Sequence, residues 1–203
     1  MPDDATRMPW QEAEVFAFPE RAGWVFWAAG LNPAGWGDVA AEVPGGENDD
    51  AVIAAVRAVD ERATADGRAW GAGIWCPEKN DHRPTASLLL RTFGDRGDPH
   101  KAFKKAVKQG RKVPRLGGVT ISGYSCEGVE TESGPMLVQL LDSTDAETGV
   151  LLHTWRITLF PVVKDEVVEI ECDTPFPHLM DDVDEELTAL VQGSVYSIAE
   201  DGE

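Results

Sequence analysis

Apolar and polar residues recur along this chain in two rhythms, and the switch between them marks its elements. In 166–172 the rhythm is two: Val168, Ile170 and Cys172 fall on one side, Glu169 and Glu171 on the other. That is the pattern of an antiparallel strand with one face buried and one wet. The segment 150–162 alternates in the same way, with Leu151, His153, Trp155, Ile157 and Leu159 on one side. Further strands are predicted at 117–129 and 135–142, with hairpin turns at Glu132-Ser133-Gly134 and Glu147-Thr148-Gly149. Upstream, Thr85 to Phe93 reads as a strong strand. So does 69–76, where Gly71 and Gly73 let a neighbour approach the backbone closely.

Three segments change to the helical rhythm. Val52, Val56, Val59 and Ala63 recur at i, i+4, i+7 and i+11, with Asp49 and Asp50 ahead of them and Gly67 behind as a C-cap, which predicts a helix over 50–66. Asp98-Pro99 reads as N-cap and first turn of a helix over 99–111, whose buried stripe is Ala102, Phe103, Ala106 and Val107 and whose lysines lie opposite; Pro114 enforces its stop. A closing helix over 181–199 carries Val183, Leu187, Leu190, Val191, Ser194 and Ile198 on one stripe and five acidic residues near its start.

The N-terminal part is less regular. Val15-Phe16-Ala17-Phe18 reads as a short strand ended by Pro19. Trp24 to Ala29 is a dense aromatic patch, either strand or hydrophobic anchor, and Asn32 to Gly37 reads as a turn cluster. One domain is expected over 1–203, with its α+β core in 46–200 and 1–45 attached to it.

Composition narrows the function classes. With 42% hydrophobic residues and seven Trp the chain is globular. No apolar run approaches the roughly 20 residues of a membrane span, and the acidic start Met1-Pro2-Asp3-Asp4 has no apolar core of a secretory signal. Cys76, Cys126 and Cys172 are odd in number and far apart, as expected for buried free thiols in a reducing cytoplasm. A net charge of −18 opposes binding to nucleic acid or an anionic membrane.

That charge is unevenly distributed. Seven of the eighteen basic residues fall within 101–115: Lys101, Lys104, Lys105, Lys108, Arg111, Lys112 and Arg115. From Asp165 onward there are thirteen acidic residues and no Lys or Arg. The plain reading is a solvated helix face and an acidic tail. The sharper reading makes the basic stretch a docking surface for an acidic one, either this chain's own C-terminal region or a protein partner's.

The order of elements resembles the PsbP-like/Mog fold: an aromatic and turn segment around Trp36, a strand beginning Pro84-Thr85-Ala86-Ser87-Leu88, a helix, a run of antiparallel strands and a final helix. The resemblance covers about 70–199, and 10–69 more loosely, with the 49–66 helix and the aromatic 24–36 segment as departures. It implies an α+β fold in which an antiparallel sheet of five to seven strands is sandwiched by helices. It also implies a non-enzymatic role, as accessory subunit, small-GTPase binder or bacterial protein of unknown role. It brings no functional residue with it.

Motifs for chemistry are sparse. His82, His100, His153 and His178 form no ligand pair. Asp181, Asp182 and Asp184 after His178 read as a helix start, not a calcium loop. Gly71-Ala72-Gly73 and Gly117-Gly118 are followed by no helix that could cradle phosphate, and Ser122 to Cys126 lacks a nucleophile elbow. The expectation is therefore a cytoplasmic binding or accessory protein, monomer or homodimer, with no catalytic residue, cofactor or metal. Its candidate surfaces are the basic stretch and whatever part of Trp24, Phe26, Trp27 and Trp36 is exposed. The alternative is a small-molecule binder or hydrolase with a pocket near Trp70, Trp75, His153 and Trp155.

Overall fold

The computed structural model describes residues 20–94, 97–114, 117–131, 134–162 and 166–200, with side chains through Gln192 except that of Pro177. Among these residues the strands are β1 Trp24–Ala28, β2 Ala69–Trp75, β3 Ala86–Phe93, β4 Val119–Thr131, β5 Gly134–Asp145, β6 Leu151–Leu159 and β7 Val167–Thr174. The helices are α1 Pro33–Ala40, α2 Asp50–Asp66, α3 Pro99–Gly110 and α4 Met180–Glu200. All strand pairings are antiparallel, in the order β1-β2-β3-β7-β6-β5-β4. A meander from β4 to β7 thus joins an N-terminal three-stranded block through the β3–β7 pairing.

Helices cover both faces. On one face α4 buries Val183, Leu187, Leu190 and Val191 against Leu88, Leu90, Trp155, Ile157, Ile170 and Cys172. Each side chain of that size contributes about 1.5–3 kcal/mol on burial. On the other face, α1 and α2 pack Val39, Val52, Val56 and Ala63 onto Trp27, Ala72, Ile74 and Leu89, and α3 packs farther along, over Leu137, Phe160 and Val167. In α2, Asp49 caps the amides of Ala51 and Val52, and Gly67 ends the helix in the left-handed region at φ 68°. Gly73 admits the Phe26 ring, which would lie 2.6 Å from any Cβ there.

Three expectations are corrected. Asn32 to Gly37 is not a turn cluster but the start of α1, where Asn32 accepts from the amides of Ala34 and Gly35 and Pro33 takes the first helical position. Cys76 lies just past the end of β2, and Cys126 is half-buried where a buried thiol was expected. The third concerns the polar side of the strands. Glu169 and Glu171 do not face water: they lie with Arg91 and with Asp66 of α2 in a charged layer on the face that α1, α2 and α3 cover. The strand expected at Val15–Phe18, and Glu132 and Ser133 of one expected turn, lie outside the described residues. So do the side chains of Ser194 and Ile198.

Candidate partner-binding surface

The basic helix is built by local rules. Asp98 accepts a hydrogen bond from the Lys101 amide at 3.0 Å, and that bond is the main cause of its carboxyl being held below the usual range. Pro99 sets the first turn. Ala102, Phe103, Ala106 and Val107 then turn toward the sheet, where Phe103 meets Phe160 edge-on with centroids 5.9 Å apart. The helix sits close because β4 offers it no side chain at Gly128, where a Cβ would lie 2.6 Å from Phe103 Cζ. At its carboxyl end the Tyr124 hydroxyl donates to the Gly110 carbonyl and accepts from Gln139 Nε2.

This packing leaves the cations outward. Lys101 is 86% exposed along its side chain and lies 3.9 Å from Asp98. Lys104, Lys105, Lys108, Arg111 and Lys112 are exposed and form no ion pair among the described residues. Arg115 lies outside the described residues. A cleft of about 600 Å³ opens where α3 crosses β4, with Phe103, Val107 and Gly128 as its apolar part and Lys104, Lys108 and Arg111 as its charged part.

The acidic helix is not their partner. α4 lies on the opposite face of the sheet, so the fold-back of the described C-terminal region onto α3 is excluded. Its acids pair elsewhere. Glu186 meets Arg21 at 2.9 Å, Asp182 meets Lys79 at 2.5 Å, and Asp184 accepts from the Trp155 indole at 2.8 Å.

The aromatic segment proves to be interior. Trp24 and Trp27 are buried, while Phe26 and Trp36 are half-buried. A single buried carboxylate, Asp60, organises the segment by accepting from the indoles of Trp27 and Trp36 and from the amides of Gly30 and Leu31.

Of the alternative pocket's four residues, Trp75 and Trp155 belong to the core beneath α4 and Trp70 rests against it. His153 lies edge-on to Trp155 at 4.2 Å, and its Nδ1–H donates to Asp142. None of the four lines the α3 cleft or the cavity of about 630 Å³ in the α1–α2 loop. That loop cavity is acidic, yet its Asp49 is already committed to capping α2.

Sequence reasoning missed the charged layer. Arg91 reaches Asp66 at 2.7 Å, Glu169 at 3.0 Å and Glu171 at 3.1 Å, and Arg156 reaches Glu171 at 2.6 Å. Beside them Arg62 holds Asp173 at 2.7 Å, with Thr154 on the second oxygen at 2.6 Å. Burial disfavours charge on Glu171, but hydrogen bonds and attraction from Arg91 and then Arg156 outweigh it and hold its carboxyl down at about 2. Burial prevails at Glu169 and Asp173, whose carboxyls are pushed up. The available signal was the placement of Arg91 and Arg156 at alternate positions inside apolar strands.

No protein-family model matches the chain, and neither does any curated protein. Solved structures share its arrangement at low identity. LpqN of Mycobacterium tuberculosis, involved in cell envelope biogenesis, aligns over 86% of this chain and 79% of its own, at 13% identity and a TM-score of 0.44. The Saccharomyces cerevisiae Ran-binding protein Mog1p aligns over 64% of this chain and 72% of its own, at 10% identity and a TM-score of 0.33. This likeness is distant and fold-level, and it says nothing of what this chain binds.

Proposed function

We propose that the protein is a non-enzymatic binding or accessory module of the cytoplasm that takes an acidic protein partner on the basic face of α3. The observation that carries this reading is a row of exposed cations, Lys104 to Lys112, along α3 and just past its end, with no ion pair among the described residues, in a molecule whose net charge is −18. Such a row attracts an acidic surface and orients it, while the anionic remainder repels the same partner from other approaches. The same remainder opposes a polyanion as long as nucleic acid, which would overrun the twelve-residue helix.

The test is affinity capture at low and moderate salt with the wild-type protein and a variant carrying Lys101→Glu, Lys104→Glu, Lys105→Glu and Lys108→Glu. The expected result is an acidic protein retained by the wild type, weakened by salt and lost with the variant. Capture unchanged by the four reversals refutes the reading. A second reading, a small-molecule binder or hydrolase, is favoured by the His153–Asp142 hydrogen bond, which orients an imidazole as a proton acceptor is oriented. It stands behind the first because Trp75 and Trp155 are taken up by the core. A ligand whose thermal stabilisation of the protein disappears with His153→Phe would reverse that order.

A further inference from the structure

We infer that the free edge of β4 accepts an extended acidic segment of another chain as an added strand, with its carboxylates in the cleft under α3. This deepens the partner reading above and rests on it. The sheet order ends at β4, which among the described residues has β5 as its one neighbour. From Gly123 to Thr131 the β4–β5 register runs unbroken, its irregularity being confined to Ile121/Gly123. Alternate residues of this stretch therefore turn their N–H and C=O groups outward, unpaired by any strand of the described residues, over a length that suits strand addition.

The surroundings specify the guest. A strand added at an edge lies about 4.8 Å away and alternates its side chains between the two faces. On the face that α3 covers, those side chains enter the cleft beside Gly128, among Lys104, Lys108 and Arg111. On the opposite face they meet the exposed Glu127 and Val129, the latter 36% exposed, and beyond these the half-buried Val138 and Met136, so that apolar guest residues belong beside Val129 and a Thr beside Glu127. Acidic residues at every second position, with apolar ones between, satisfy both sides. The Tyr124–Gly110 contact places the carboxyl end of α3 over the start of this stretch. The guest's carboxylates thus belong opposite Cys126 and Gly128, toward Lys108 and Arg111 and away from the exposed Glu130. A second copy is the wrong guest. Antiparallel β4–β4 pairing about a two-fold axis sets both α3 helices on one face, cation row beside cation row.

The probe is a labelled, acetylated ten-residue peptide alternating Glu with Val or Thr, titrated by fluorescence anisotropy against the full chain. Two analogues are N-methylated, one at the odd and one at the even residues, so that one loses the amides facing β4 and the other the amides facing solvent. The expected result is saturable binding by the parent, a loss of tenfold or more with one analogue, near-parent binding with the other, and slowed amide exchange within 124–131. Equal binding by parent and both analogues, abolished by Lys104→Glu and Lys108→Glu, overturns strand addition and leaves the basic-face reading standing. No binding by the parent peptide also overturns it, whatever the capture experiment shows. So does a concentration-dependent dimer of the free protein whose 124–131 amides are already protected.

Discussion

The two amphipathic helices on opposite faces of the sheet differ in what they do with their charges. α4 drives four apolar side chains, each at most 4% exposed, into the main core, and its acids meet Arg21, Lys79 and the Trp155 indole. α3 buries no side chain fully, and among the described residues its cations form one ion pair, Lys101 with Asp98. One helix is held by the fold on both its apolar and its polar side, and the other only on its apolar side. A helix whose polar face has almost no partner among the described residues is the one available to an external partner, and stability and binding should separate accordingly.

The largest expected effect lies in α4. Leu187 is 1% exposed, and Leu187→Ala should destabilise the protein by about 2–5 kcal/mol, as read from denaturant unfolding, whereas Val107→Ala in half-buried α3 should lose under about 1.5 kcal/mol. Equal losses would erase the contrast between the helices. Next comes acid. Because the Glu171 carboxyl is held at about 2 in the fold, below its value in the unfolded chain, its stabilisation is complete above roughly pH 4.5 and fades as pH falls toward 2. Glu169 and Asp173 are shifted upward, so they take up protons before the unfolded chain does and soften the decline at its upper end. An acid-unfolding curve that is flat down to pH 2 would deny Glu171 its role. A smaller effect follows from Asp184→Ala, which strips the buried Trp155 indole of its acceptor and should cost about 1–3 kcal/mol, seen together with a change in tryptophan emission. The smallest is the four-lysine reversal on α3, which should move stability by no more than about 0.5 kcal/mol while removing partner capture.

Much of this was legible in the residues. The α2 stripe, the acidic start at Asp49 and Asp50 and the Gly67 stop are local signals that no tertiary contact overrides, and the structure has them where the spacing put them, with Asp49 acting as the N-cap. Asp98-Pro99 worked in the same way for α3. Asn32-Pro33 is the same kind of signal, but Gly35 and Gly37 directly behind it imitate a turn, and α1 is helical because Val39 and Ala40 have a core to enter. The charged layer was illegible for a different reason. Alternation distinguishes two faces of a strand but not water from a buried guanidinium, and Arg91 is 78 and 80 positions from Glu169 and Glu171 along the chain, brought together only when β3 pairs with β7. Within the candidate site, the cation row could be read directly from the sequence. The β4 edge beside it could not, because an edge is a property of strand order.

That strand order also governs how the chain comes into being. β3 pairs with β7, and the last residue of β7, Thr174, follows the last residue of β3, Phe93, by about eighty residues, which take roughly 4–16 s to synthesise at about 5–20 residues/s. During that interval Leu88, Leu89 and Leu90 stand on a nascent block that has no neighbour on one side. The meander from β4 to β7 closes by hairpins and can form as it emerges. Birth of this protein is therefore two unequal events, a slow wait by the first half and a quick zippering of the second, and a chaperone would find its substrate in the first.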